Sequence, residues 1–99
     1  MVGIFEFNPQ TTFWEDFSIA EDFGLDAIRD TYERAFNDWK TNHIYLTELA
    51  MVLNWKCWAY APHSDAYSQL YAELFYKVDD YAWANLKGEE LEYYYRITD

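Results

Sequence analysis

An all-α fold is what this sequence predicts: a compact bundle of four main helices, a short C-terminal helix and a short extended N-terminal segment. Three observations carry that reading. Apolar residues recur at helical spacing through consecutive segments, strand-like alternation is absent after residue 8, and the breaks between segments span only two to four residues. Such short connections favour antiparallel neighbours. The 99 residues form one helical domain, 1–99.

Residues 3–7, GIFEF, are closed by Asn8-Pro9 and read as one extended strand or a tail packed on the body. Thr12 followed by Glu15 makes a capping box that starts the first helix at about Phe13. Its apolar face is Phe13, Phe17 and Ala20, and Gly24 is its stop. The second helix, LDAIRDTYERAFNDWK, is the most regular stretch. Leu25, Ile28, Tyr32, Ala35, Phe36 and Trp39 share one face; Asp26, Asp30, Glu33, Asn37 and Asp38 lie on the other, with Arg29 and Arg34 interspersed.

The third helix spans about His43 to Tyr60 and ends at Ala61-Pro62. Leu46, Leu49, Ala50, Leu53, Cys57 and Tyr60 make a stripe, while Ile44, Tyr45, Val52, Trp55 and Trp58 add apolar mass on other sides. A helix apolar around most of its girth belongs at the centre. Ser64 and Asp65 cap a fourth helix running to about Leu86, before Lys87-Gly88. Glu89 and Glu90 then suit a new N-terminal turn, so EELEYYYR reads as the short fifth helix. In it Leu91, Tyr94 and Tyr95 should pack down on the bundle and leave Tyr93 outside.

Composition excludes several functions. Eighteen Asp and Glu against seven Lys and Arg give a net charge of −11. A phosphate backbone demands a basic footprint, so direct nucleic-acid binding is not expected, and an anionic membrane surface is equally unsuitable. No apolar run approaches the length of a membrane span, and the N-terminus has no basic region of a signal peptide. The single cysteine, Cys57, permits no internal disulfide and sits among Trp55, Trp58 and Ala59 as an inert thiol is expected to. A cytoplasmic location follows as the expectation.

Catalytic chemistry finds little footing. No Glu is followed three residues later by His, and neither Cys-x-x-Cys nor His-x-x-x-His occurs, so no metal site is expected. Three scattered glycines cannot build a phosphate-cradling loop. Ser64 beside His63 reads as a cap next to a surface imidazole. No cofactor and no enzymatic activity are expected.

The acids are more informative. Asp22, Asp26, Asp30 and Glu33 step by 4, 4 and 3, although Gly24 interrupts the row. Like charges one turn apart repel by a few tenths of a kcal/mol per pair, a local cost. Two readings stand: a solvated face, or a surface that meets a basic partner. At the C-terminus Glu89, Glu90 and Glu92 surround Tyr93, and tyrosine beside acid is the kind of grouping interfaces favour.

Four stretches, FWEDFSIAEDFG, AIRDTYERAFNDWK, TELAMVLNWKCW and NLKGEELEYYYRITD, resemble a family of small acidic proteins encoded on bacterial mobile elements, phages and conjugative elements. The resemblance covers most of the chain beyond residue 12 and carries no catalytic motif. Such elements often encode proteins that disable host defence, anti-CRISPR and antirestriction proteins among them, and many of those occupy the basic nucleic-acid channel of a nuclease. The resemblance therefore implies a non-enzymatic inhibitor of a defence nuclease in the bacterial cytoplasm. Asp22, Asp26, Asp30, Glu33, Glu89, Glu90 and Glu92 would pair with its basic side chains, and Tyr93 would supply desolvated contact. The alternative is a structural or regulatory adaptor of a mobile element, a homodimer joined through apolar helix faces that include Tyr76 and Trp83.

Overall fold

Five helices follow one another along the chain: α1 (Phe13–Glu21), α2 (Leu25–Trp39), α3 (His43–Tyr60), α4 (Asp65–Asn85) and α5 (Glu89–Thr98). The computed structural model describes residues 11–62 and 65–98, so the extended segment expected before Asn8 and the Ser64 cap lie outside the described residues. The fold is the all-α bundle, and no strand occurs among the described residues.

Each boundary has a local cause. Asn42 caps α3, its side-chain oxygen accepting the Tyr45 amide at 3.2 Å. Between α1 and α2 the amides of Phe23 and Gly24 both bond to the Ala20 carbonyl, and Gly24 at φ +110° turns the chain where an L side chain would be strained. Gly88, at φ +59°, does the same ahead of α5. The expected capping box at α1 does not form. Thr12 has non-extended angles, its hydroxyl makes no bond to the helix backbone, and it donates to Asp16 instead at 3.0 Å.

α3 lies at the centre and packs against all four other helices, as its all-round apolar character predicts. Leu46, Leu49, Ala50, Val52 and Leu53 are buried there and meet Leu70, Tyr71, Leu74, Val78 and Ala82 of α4 within one continuous core. Each fully buried leucine contributes about 2 kcal/mol. α2 turns Ile28, Tyr32 and Ala35 inward, whereas Leu25 and Trp39, at the ends of the expected stripe, are exposed. Trp39 rests edge-on against Tyr45, ring centres 4.7 Å apart.

The triple tyrosine divides differently from the expectation. Tyr94 is the only one of the three that is buried, at 1% exposure, and its hydroxyl donates to Asp79 at 2.8 Å. Tyr93 is outside, as expected, but so is Tyr95, which stands edge-on to exposed Trp83 at 5.0 Å. A ten-residue helix on the rim of the bundle offers only a narrow stripe to the core, and Tyr94 and Leu91 fill it.

Candidate functional site

The acids of α2 stand where helical geometry puts them. At 100° per residue, Asp26, Asp30 and Glu33 fall opposite the buried Ile28, Tyr32 and Ala35, and all three are exposed. None of the three forms an ion pair among the described residues; the α2 guanidinium that does, Arg29, reaches across to Glu73 of α4 at 2.7 Å. Asp22 is exposed too, but it is the C-terminal cap of α1, on the other side of the Gly24 turn from the α2 row.

Glu89, Glu90, Glu92 and Tyr93 are exposed on the first turns of α5, where negative charge opposes the helix dipole favourably. Glu89, Glu90 and Tyr93 line a groove of about 460 Å³ with His43, Ile44 and Thr47 of α3. His43 Nδ1 lies 2.8 Å from Glu90 Oε1. α2 and α5 do not pack against each other, so the α2 row and the α5 group stand on helices that share no contact, with Asp22 on a third.

A second groove, of about 530 Å³, runs between α1 and α2. Asp16, Asp30 and Asp38 border it together with Arg34, and Ile19, Phe23 and Trp39 stand exposed along it. Of its three carboxylates only Asp30 is among the expected site residues.

Local spacing could not announce the polar cluster that holds α1 in place. Lys56, on the central helix, is 3% exposed, and its ammonium donates to Glu21 Oε2 and to Ser18 Oγ, each at 3.0 Å. It also lies 4.1 Å from the centre of the Trp14 ring, a cation–π contact. Glu21 accepts from Tyr60 at 2.6 Å and from Tyr71. Burial pushes the Glu21 carboxyl up, but the bonds from Tyr60, Tyr71 and Lys56 outweigh it and hold the group below the usual carboxylate range. The same bond pushes the Tyr60 hydroxyl up to about 12, and burial foremost raises Tyr71 further. Its one advance signal is a lysine on a helix apolar all round, which must find its counter-charge on another element.

This cluster divides the work of α1 into two flanks. Trp14, Ser18 and Glu21 face Lys56, while Asp16 and Ile19, on the opposite side of the buried Phe13–Phe17–Ala20 stripe, border the groove. The Lys56 ammonium is enclosed by these partners. Cys57 is half-buried with its sulfur 3.6 Å from Ser68 Oγ. Among the described residues, no group of three or more His, Cys, Asp or Glu is arranged to hold a metal ion, and no helix is long and apolar enough to cross a membrane.

No protein-family model matches this chain, and neither the curated proteins nor the solved structures yield a significant match.

Proposed function

We propose that this chain is a non-enzymatic inhibitor of a bacterial defence nuclease, an acidic helical body that occupies a basic nucleic-acid-binding site in the manner of anti-CRISPR or antirestriction proteins. The observation that supports this reading is the α2 row. Asp26, Asp30 and Glu33 present three exposed carboxylates, none in a salt bridge among the described residues, over roughly 10 Å of helix axis. A row of that kind costs local repulsion, and a basic partner would relieve it.

The net charge of −11 draws a positive site from about a Debye length away and mainly raises the rate of encounter. On contact, the α2 carboxylates take the places of phosphates against lysines and arginines. The α5 group, Glu89, Glu90 and Glu92 with Tyr93, makes a separate second contact, and its ring supplies area that water leaves.

The test is retention of candidate CRISPR effector and restriction nucleases by the immobilised chain at low and high salt, alongside cleavage assays. Binding should weaken steeply with salt, and Asp30→Lys with Glu33→Lys should abolish both binding and inhibition. Tight binding indifferent to salt and to that double change would remove the phosphate-mimic mechanism. Retention of no nuclease at any salt would remove the inhibitor reading.

One observation favours the adaptor as a second reading. Tyr76 and Trp83, seven residues apart on α4, are both exposed on one helix face, a seam that a second copy could cover. Sedimentation separates the two: a stable dimer that Trp83→Ser dissolves, with no nuclease bound, supports the adaptor.

A further inference from the structure

The hairpin of α1 and α2 has one side against the core and another that no helix among the described residues covers. On that open side Phe13, Ala20, Ala27 and Ala35 line the groove of about 530 Å³, and the small alanines let it sink between the two backbones. Phe23 and Ile19, exposed by 79% and 60%, flank it toward the turn, and Trp39, 39% exposed, stands at the far end. Large apolar side chains gathered along one concavity mark an interaction surface more often than scattered ones do. From Ala27 to Trp39 the α2 wall is about 18 Å long, the length of three helical turns.

Charge selects the occupant. Asp16 on one wall and Asp30 and Asp38 on the other line the groove, and among the described residues Arg34 is the one cationic side chain that lines it. A second copy would bring the same three carboxylates, and −11 more charge, onto them. Like charges set against each other across an interface repel, so a homodimer through this face is disfavoured. An apolar stripe flanked by cations fits both features.

We infer that the α1/α2 groove docks a basic amphipathic helix of a protein partner. Apolar side chains at i, i+4, i+7 and i+11, spread over about 17 Å of the docked helix, lie along Ile19, Phe23 and Trp39, and lysines or arginines beside them reach Asp16, Asp30 and Asp38. The groove needs little rearrangement, because the Lys56–Glu21 pair fixes α1 from its opposite flank. This goes beyond nuclease inhibition, since a helix is recognised here whether or not its owner binds nucleic acid.

The test is a titration of the isotope-labelled full chain with a twelve-residue peptide carrying leucines at that helical spacing and lysines elsewhere. Its controls are a scrambled peptide of the same composition and one with glutamate in place of lysine. The amphipathic basic peptide should shift the resonances of Ile19, Phe23, Ala27 and Trp39 and bind at least about tenfold tighter than either control. Phe23→Ser and Ile19→Ser, both at exposed positions, should each weaken it about tenfold, and Asp16→Asn with Asp38→Asn should flatten its salt dependence. Equal binding of the scrambled peptide, or shifts confined to other faces, overturns the inference. So does a dimer that Phe23→Ser dissolves, or Overhauser contacts in the peptide-free full chain between residues 1–10 and Phe23 or Trp39, which would assign the groove to the chain's own N-terminal segment. The titration contains no nuclease, so its failure and a failure of inhibition are told apart.

Discussion

Lys56 and Glu21, thirty-five residues apart in the chain, meet at 3.0 Å in a pocket walled by the Trp14 ring and two tyrosine hydroxyls. Burying a charge is tolerable only because its partners satisfy it, so removing one member leaves the other stranded. Lys56→Met should therefore destabilise the fold by about 3 kcal/mol in urea titrations. Adding Glu21→Gln to it should cost less than the two single changes summed, because the stranded charge goes as well. Additive losses would show that the two residues act independently.

The same cluster sets how stability varies with pH. Glu21 is held below its ordinary value near 4.5, so its contribution is complete above that value and is lost as pH falls through the depressed one. Tyr60, raised to about 12 by its bond to Glu21, works in the opposite sense: its contribution is complete below 10 and is lost as pH climbs through about 12. The urea midpoint should fall on both flanks. Glu21→Gln should make the acid flank shallower, and Tyr60→Phe the alkaline one. Flanks identical to the parent's in both variants would exclude the cluster as their source.

The α2 row should be separable from folding. Asp30 and Glu33 are exposed and form no salt bridge among the described residues, so Asp30→Lys with Glu33→Lys should leave the melting free energy within about 0.5 kcal/mol of the parent's. No net gain is expected, because a lysine at position 30 attracts Asp26 but repels Arg34 and the lysine at position 33. Thermal unfolding checks this directly, and a large loss would tie the row to the fold.

Tyr93 and Tyr94 are neighbours with opposite duties. Tyr94→Phe should cost about 1 kcal/mol through the lost bond to Asp79. Tyr94→Ala should cost about 3–5 kcal/mol and expose the amides of α5 to hydrogen exchange. Tyr93→Ala should be neutral within about 0.5 kcal/mol. Equal costs at the two positions would contradict their different burial.

Much of the architecture was readable from neighbours in the chain. Ile28, Tyr32 and Ala35 declare the inner face of α2 through their spacing alone, and Gly24 and Gly88 mark turns because only glycine accepts those angles without strain. The central place of α3 follows from apolar residues around its whole girth. The site was less legible. Spacing located Asp26, Asp30 and Glu33 on an open face, but it could not show that Asp16 and Asp38 join Asp30 along one groove while Glu89 and Glu90 belong to another.

Helix limits and inward faces thus arise within a few residues of chain, where hydrogen bonding and side-chain periodicity act over one or two turns. Packing decided everything that needs two helices at once: Lys56 against Glu21, the concavity between α1 and α2, Tyr95 left outside while Tyr94 is buried. Those outcomes depend on how five helices share one small core, and that competition for buried area is written in no single segment.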